Sequence, residues 1–61
     1  MKILMMYIKV NNMEIYTNCY YCDKIEDKGS YYMISYKDNL LGLIFKNPNL
    51  IIKCGEDVIY E

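Results

Sequence analysis

Five amino acids are missing from this 61-residue chain: alanine, arginine, histidine, glutamine and tryptophan. Each absence excludes something. Without histidine, Ser30 and Ser35 have no base to activate them for nucleophilic work, and a catalytic zinc of the usual His-bearing kind has no ligands. Without arginine, and with a net charge of −1, no basic excess draws the chain to a phosphate backbone. Alanine, arginine and glutamine are also good helix formers, whereas the abundant tyrosine and isoleucine favour strands. An all-β or mostly β fold is therefore expected.

Other scarcities point the same way. No glycine-rich phosphate loop is present. No apolar run approaches the ~20 residues a membrane helix needs. The first such run, Ile3 to Ile8, is interrupted by Lys9 and followed by Asn11-Asn12, which is unlike a secretory signal. A cytoplasmic location is expected, where thiols stay reduced and cysteine pairs point to metal more than to disulfides. The required groups of an active site are lacking, so no enzymatic activity is expected.

What is present is apolar material: 54% of residues are hydrophobic and eight are tyrosine. That suffices for a single domain over residues 1–61. A domain this small gets only ~3–5 kcal/mol from one core and usually carries a staple.

Alternation places the first strand over Lys2–Val10, with Leu4, Met6, Ile8 and Val10 on the inner face. Asn11-Asn12 suits a two-residue type I′ hairpin turn, because asparagine tolerates positive φ. A second strand follows over Met13–Asn18. Asp23 to Ser30 is the most polar stretch and predicts an exposed loop, or one helical turn ended by Gly29. Tyr31–Lys37 predicts a third strand, Asp38-Asn39 a turn, and Leu40–Lys46 a fourth strand buried on both faces, with Gly42 marking a bulge or a close backbone approach. Asn47-Pro48-Asn49 is a turn by its chemistry. Leu50–Lys53 and Val58–Glu61 complete a small antiparallel sheet or meander.

The chemistry-bearing feature is Cys19-x-x-Cys22 followed by Cys54-x-x-Asp57. Two intervening residues let both side chains of a tight turn face one ion, and Gly55 suits such a turn. This resembles a zinc ribbon, in which two strand-end turns clamp a structural zinc. The gap between Cys22 and Cys54 is longer than the usual ribbon spacing. Asp57 stands where a fourth cysteine would be; Asp23, Glu56, a water or a partner residue are the alternatives. Buried inert thiols and a redox pair are the competing explanations of the cysteines.

The tyrosines bear on partners. Tyr20, Tyr21 and Tyr31 are candidates for a partner-binding surface, since tyrosine is enriched at binding hot spots. A protein-binding module needs no net positive charge. A nucleic-acid-binding zinc module, with tyrosines stacking on bases and Lys24, Lys28, Lys37 and Lys46 on phosphates, is the alternative. A free strand edge could also pair two copies.

Cys19-Tyr20-Tyr21-Cys22 and Cys54-Gly55-Glu56-Asp57, together with small size and an abundance of residues that AT-rich codons encode (Ile, Asn, Lys and Tyr), carry one family resemblance. The chain is similar in kind to phage-encoded, zinc-binding anti-CRISPR proteins that block type II-A Cas9. The resemblance implies a non-enzymatic inhibitor acting in the host cytoplasm, with a zinc holding its shape and a host nuclease, Cas9, as its partner.

Overall fold

The computed structural model describes all residues from Met1 to Glu61. Strands alone build it: β1 (Lys2–Val10), β2 (Met13–Cys22), β3 (Lys24–Asp27), β4 (Tyr31–Tyr36), β5 (Asn39–Phe45), β6 (Leu50–Cys54) and β7 (Asp57–Tyr60). All pairings are antiparallel. The expected single meander is instead two sheets. One is four-stranded in the order β2-β1-β6-β7, and the other is three-stranded in the order β3-β4-β5. The chain makes the first hairpin, crosses to build β3-β4-β5, and returns to lay β6 against β1.

The inner faces of the two sheets meet in one core. Leu4, Met6, Cys22, Leu50 and Ile52 come from the larger sheet, and Tyr32, Ile34 and Ile44 from the smaller. Tyr20, Ile25, Cys54 and Tyr60 pack against its margin. Leu4, Ile34, Ile52 and Cys22 are fully buried. Each large aliphatic side chain so placed contributes about 1.5–3 kcal/mol.

Turn chemistry behaves as the residues dictate at the first hairpin. Asn11 and Asn12 have φ of 50° and 65°, the left-handed pair of a type I′ turn. The second tight turn lies one residue earlier than its sequence suggests. Lys37 and Asp38, not Asp38 and Asn39, hold positive φ (50° and 64°). The carboxylate of Asp23 accepts the Lys37 backbone N–H at 2.9 Å and pins that turn.

Two other expectations are corrected. Asp23–Ser30 is not wholly loop, because Lys24–Asp27 pairs with β4 as an edge strand. Leu40–Lys46 is not a central strand either: β5 forms the open edge of its sheet, and most of its side chains are exposed. The strand buried on both faces is β6. It lies between β1 and β7, with Leu50 and Ile52 turned to the core and Ile51 beside Tyr7 on the opposite face. A continuous apolar run cannot distinguish these two positions, since both strands carry one.

Three bulges adjust the faces. Thr17 is the extra residue of β2, and its hydroxyl donates to the Met6 carbonyl at 3.1 Å. Leu41, beside Gly42, is the extra residue of β5. Ile59 is that of β7, and its freed carbonyl accepts from the Tyr32 hydroxyl at 3.5 Å, tying the two sheets together. Bulges bend a strand and leave one residue out of the ladder.

Candidate functional site

β2 does not end before its cysteines. It runs unbroken through Cys22, so Cys19 and Cys22 lie within one ladder, opposite Met5 and Lys2 of β1. Side chains alternate along a strand, and residues three apart project from opposite faces. Cys22 enters the core and is fully buried. Cys19 lies on the outer face beside Tyr16, and this neighbouring thiol raises the Tyr16 hydroxyl pKa.

Cys54 opposes Leu4 and shares the inner face with Cys22. Burial pushes the Cys22 thiol up, and the nearby Cys54 pushes it in the same direction. Asp57 is the cross-strand partner of Cys54, over a turn in which Gly55 holds φ of 62°. Three of the four candidate ligands thus fall on one side of the larger sheet, and Cys19 falls on the other. No group of three or more Cys, Asp or Glu side chains is gathered for a metal. As they stand, the four residues do not form a tetrahedral set. Asp23 is occupied with the Lys37 turn.

The candidate tyrosines are dispersed. Tyr20 turns inward and packs against the core. Tyr21 is exposed on the outer face of the larger sheet, opposite Ile3. Tyr31 lies on the outer face of the smaller sheet, its ring tilted against Phe45 at 5.4 Å.

Four of the seven lysines are ion-paired locally. Lys24 and Lys28 flank Glu26 at 3.0 and 2.8 Å. Lys53 bonds Glu14 at 2.7 Å and stands over the Tyr7 ring. Lys46 bonds Asp27 at 2.8 Å and lies over both Tyr32 and Tyr60. Those two rings meet edge to face at 6.1 Å. The Lys37 ammonium rests over Tyr36. A polyanion would compete with these partners for each ammonium.

The residues that sequence reasoning missed are apolar. The β1–β2 hairpin is longer than every other strand pair and overhangs the smaller sheet, giving the molecule extents of 37 × 22 × 17 Å. Near its tip the inner face continues past the core uncovered. Ile8 opposes Ile15 and Val10 opposes Met13. These four are 42, 47, 44 and 66% exposed. The expectation that Ile8 and Val10 line the core is corrected accordingly. The mismatch between nine- and ten-residue strands and the shorter remainder was the available signal. The surface is otherwise without pockets.

No protein family, curated protein or solved structure matches this chain.

Proposed function

We propose that this chain is a protein-binding module with no catalytic role, and that it docks through the overhanging inner face of its first hairpin. The observation that carries this reading is the uninterrupted apolar quartet Ile8, Val10, Met13 and Ile15, exposed on two paired strands. Contiguous exposed apolar patches mark interaction surfaces. The face is continuous with the core, so a partner that covers it extends the hydrophobic interior. The locally paired lysines favour this over nucleic-acid recognition, where free cationic groups supply affinity.

The partner is a host protein, and the anti-CRISPR resemblance names the first one to try, a type II-A Cas9. An inhibitor of this kind occupies a surface of the nuclease without performing chemistry. Zinc enters the proposal only as a staple near the Cys54–Asp57 turn, and no step of binding depends on it.

The test is capture of Cas9 on the immobilised protein, paired with a DNA-cleavage assay. Capture and inhibition are expected for the native chain, and loss of both for Val10→Glu and Met13→Glu. These exposed substitutions should leave the melting temperature nearly unchanged. Retention of nucleic acid with a steep salt dependence, or binding unaffected by either substitution, counts against the proposal.

A further inference from the structure

The four sheet-edge strands differ in how they are protected. β3 is four residues long and carries Lys24, Glu26 and Asp27. β7 is equally short and includes Asp57. β2 holds Glu14 and the bulge at Thr17. Short length, charge and bulges are the devices that keep a sheet edge from pairing with another chain. β5 is seven residues long and has neither a charged residue nor a proline. Its bulge, at Leu41, leaves Gly42–Phe45 in regular register with β4.

The hydrogen-bond pattern shows which groups face outward. The Lys46 N–H donates to the Ser30 carbonyl at 3.0 Å, so this pair belongs to the bonded set of the β4–β5 ladder. Alternation then directs the peptide groups of Ile44 and Gly42 toward β4. Those of Leu43 and Phe45 face the open edge. The side chains add a second requirement: Leu40, Leu41, Leu43 and Phe45 are all exposed, Leu40 and Phe45 by 61 and 63%. On the solvent face they join Tyr31 and Met33, the cross-strand partners of Phe45 and Leu43.

We propose that this edge pairs with β5 of a second copy of the chain. The two strands run antiparallel about a two-fold axis at Leu43, joining two three-stranded sheets into one of six strands. A two-fold contact uses the same patch on both subunits and closes on itself. Leu43 then opposes its own counterpart and satisfies both of its free peptide groups. The row Met33–Leu43 becomes continuous across the axis. The outward peptide groups alternate as an antiparallel neighbour requires. A parallel pair would also set Asp38 against Asp38, whereas the antiparallel pair places the two at opposite ends; Lys46 is already held by Asp27. No charge within Asn39–Phe45 opposes the approach. This contact is separate from the hairpin face that would take a foreign partner.

Sedimentation equilibrium on the full chain, over a wide concentration range, tests the proposal together with amide hydrogen exchange. A monomer–dimer equilibrium is expected. In it the Leu43 amide becomes protected as concentration rises. Leu43→Lys should weaken the dimer by about tenfold or more, corresponding to ~1.4 kcal/mol or more, while Ile15→Lys leaves it intact. A chain that stays monomeric at all concentrations overturns the proposal. So does a dimer in which the Leu43 amide exchanges independently of concentration, or one lost with Ile15→Lys but retained with Leu43→Lys. If Leu43→Lys fails to fold, the exchange of the native chain decides alone.

Discussion

Cys19 and Cys22 project from opposite faces of the same sheet. Both belong to the unbroken strand β2, one beside Tyr16 on the outer surface and the other sealed in the core. The C-x-x-C spacing brings two thiols together only where the backbone turns between them. In extended backbone the same spacing separates them by the thickness of the sheet.

The two cysteines should therefore respond differently to substitution. Cys22→Ser places a hydroxyl in the core and is expected to cost about 1–3 kcal/mol. Cys19→Ser, on the outer face, should stay within about 0.5 kcal/mol of the native chain. Urea titration measures both. A zinc ion held by all four candidate residues would make the two substitutions similarly damaging. Native mass spectrometry would then show one zinc per chain. That pair of results would require β2 to break between Tyr20 and Tyr21, and would overturn the placement of the two thiols on opposite faces.

Thiol reactivity gives an independent check. The thiolate is the nucleophile in alkylation, and burial raises the Cys22 pKa. In the native protein Cys22 is expected to react with iodoacetamide last, after Cys19 and Cys54. Peptide mapping of a time course reads the order directly. Early modification of Cys22 would show that the inner face opens readily.

The acid limb of stability should depend on the β3 carboxylates. Glu26 is held below the usual carboxylate range by Lys28 and Lys24. Asp27 is held low by Lys46 and by the Gly29 N–H it accepts. A carboxylate whose folded pKa is depressed stabilises the fold fully above its ordinary pKa. It loses that contribution as pH falls through the lowered value. Stability should therefore decline below the ordinary carboxylate range, and Asp27→Asn should flatten part of the decline. Glu56→Gln, outside the four ion pairs, serves as the control. These pairs are exposed, so the effect should shrink in high salt. Thermal melts between neutral and acidic pH, with and without added salt, measure it.

The second hairpin carries a removable cost. Lys37 sits at φ of 50°, a region in which a lysine is strained and an asparagine is at home. The first hairpin already uses asparagine at the equivalent position. Lys37→Asn should raise stability by about 0.5–1 kcal/mol, less whatever the exposed contact over Tyr36 contributes. The Asp23 bond to the residue 37 N–H does not depend on the side chain. A lowered midpoint in urea would show that the contact over Tyr36 outweighs the strain.

Much of the β structure was legible in the residues. The alternation of Lys2–Val10, the Asn11-Asn12 turn, the Asn47-Pro48-Asn49 turn and the final short strand all follow from local chemistry. β3 was not legible, because Lys24-Ile25-Glu26-Asp27 has one apolar residue and the composition of a loop. It is a strand because β4 offers it an edge and Ile25 a place against the core. The thiol positions were legible only as spacing. The face each one takes depends on whether β2 continues, and on the Thr17 bulge that shifts the alternation by one residue.

The amino-acid sequence by itself determined that this chain forms antiparallel strands and a type I′ turn at Asn11-Asn12. Those are properties of φ preference, side-chain branching and a period of two, all set within a few residues. Only the tertiary structure decided that β6 is buried on both faces while β5 is left open at an edge. Only it decided that the first hairpin outruns its covering sheet, and that Cys19 stands apart from Cys22, Cys54 and Asp57. Each of those outcomes depends on which strand lies beside which, and neighbours distant in sequence are chosen by the packing of the whole core.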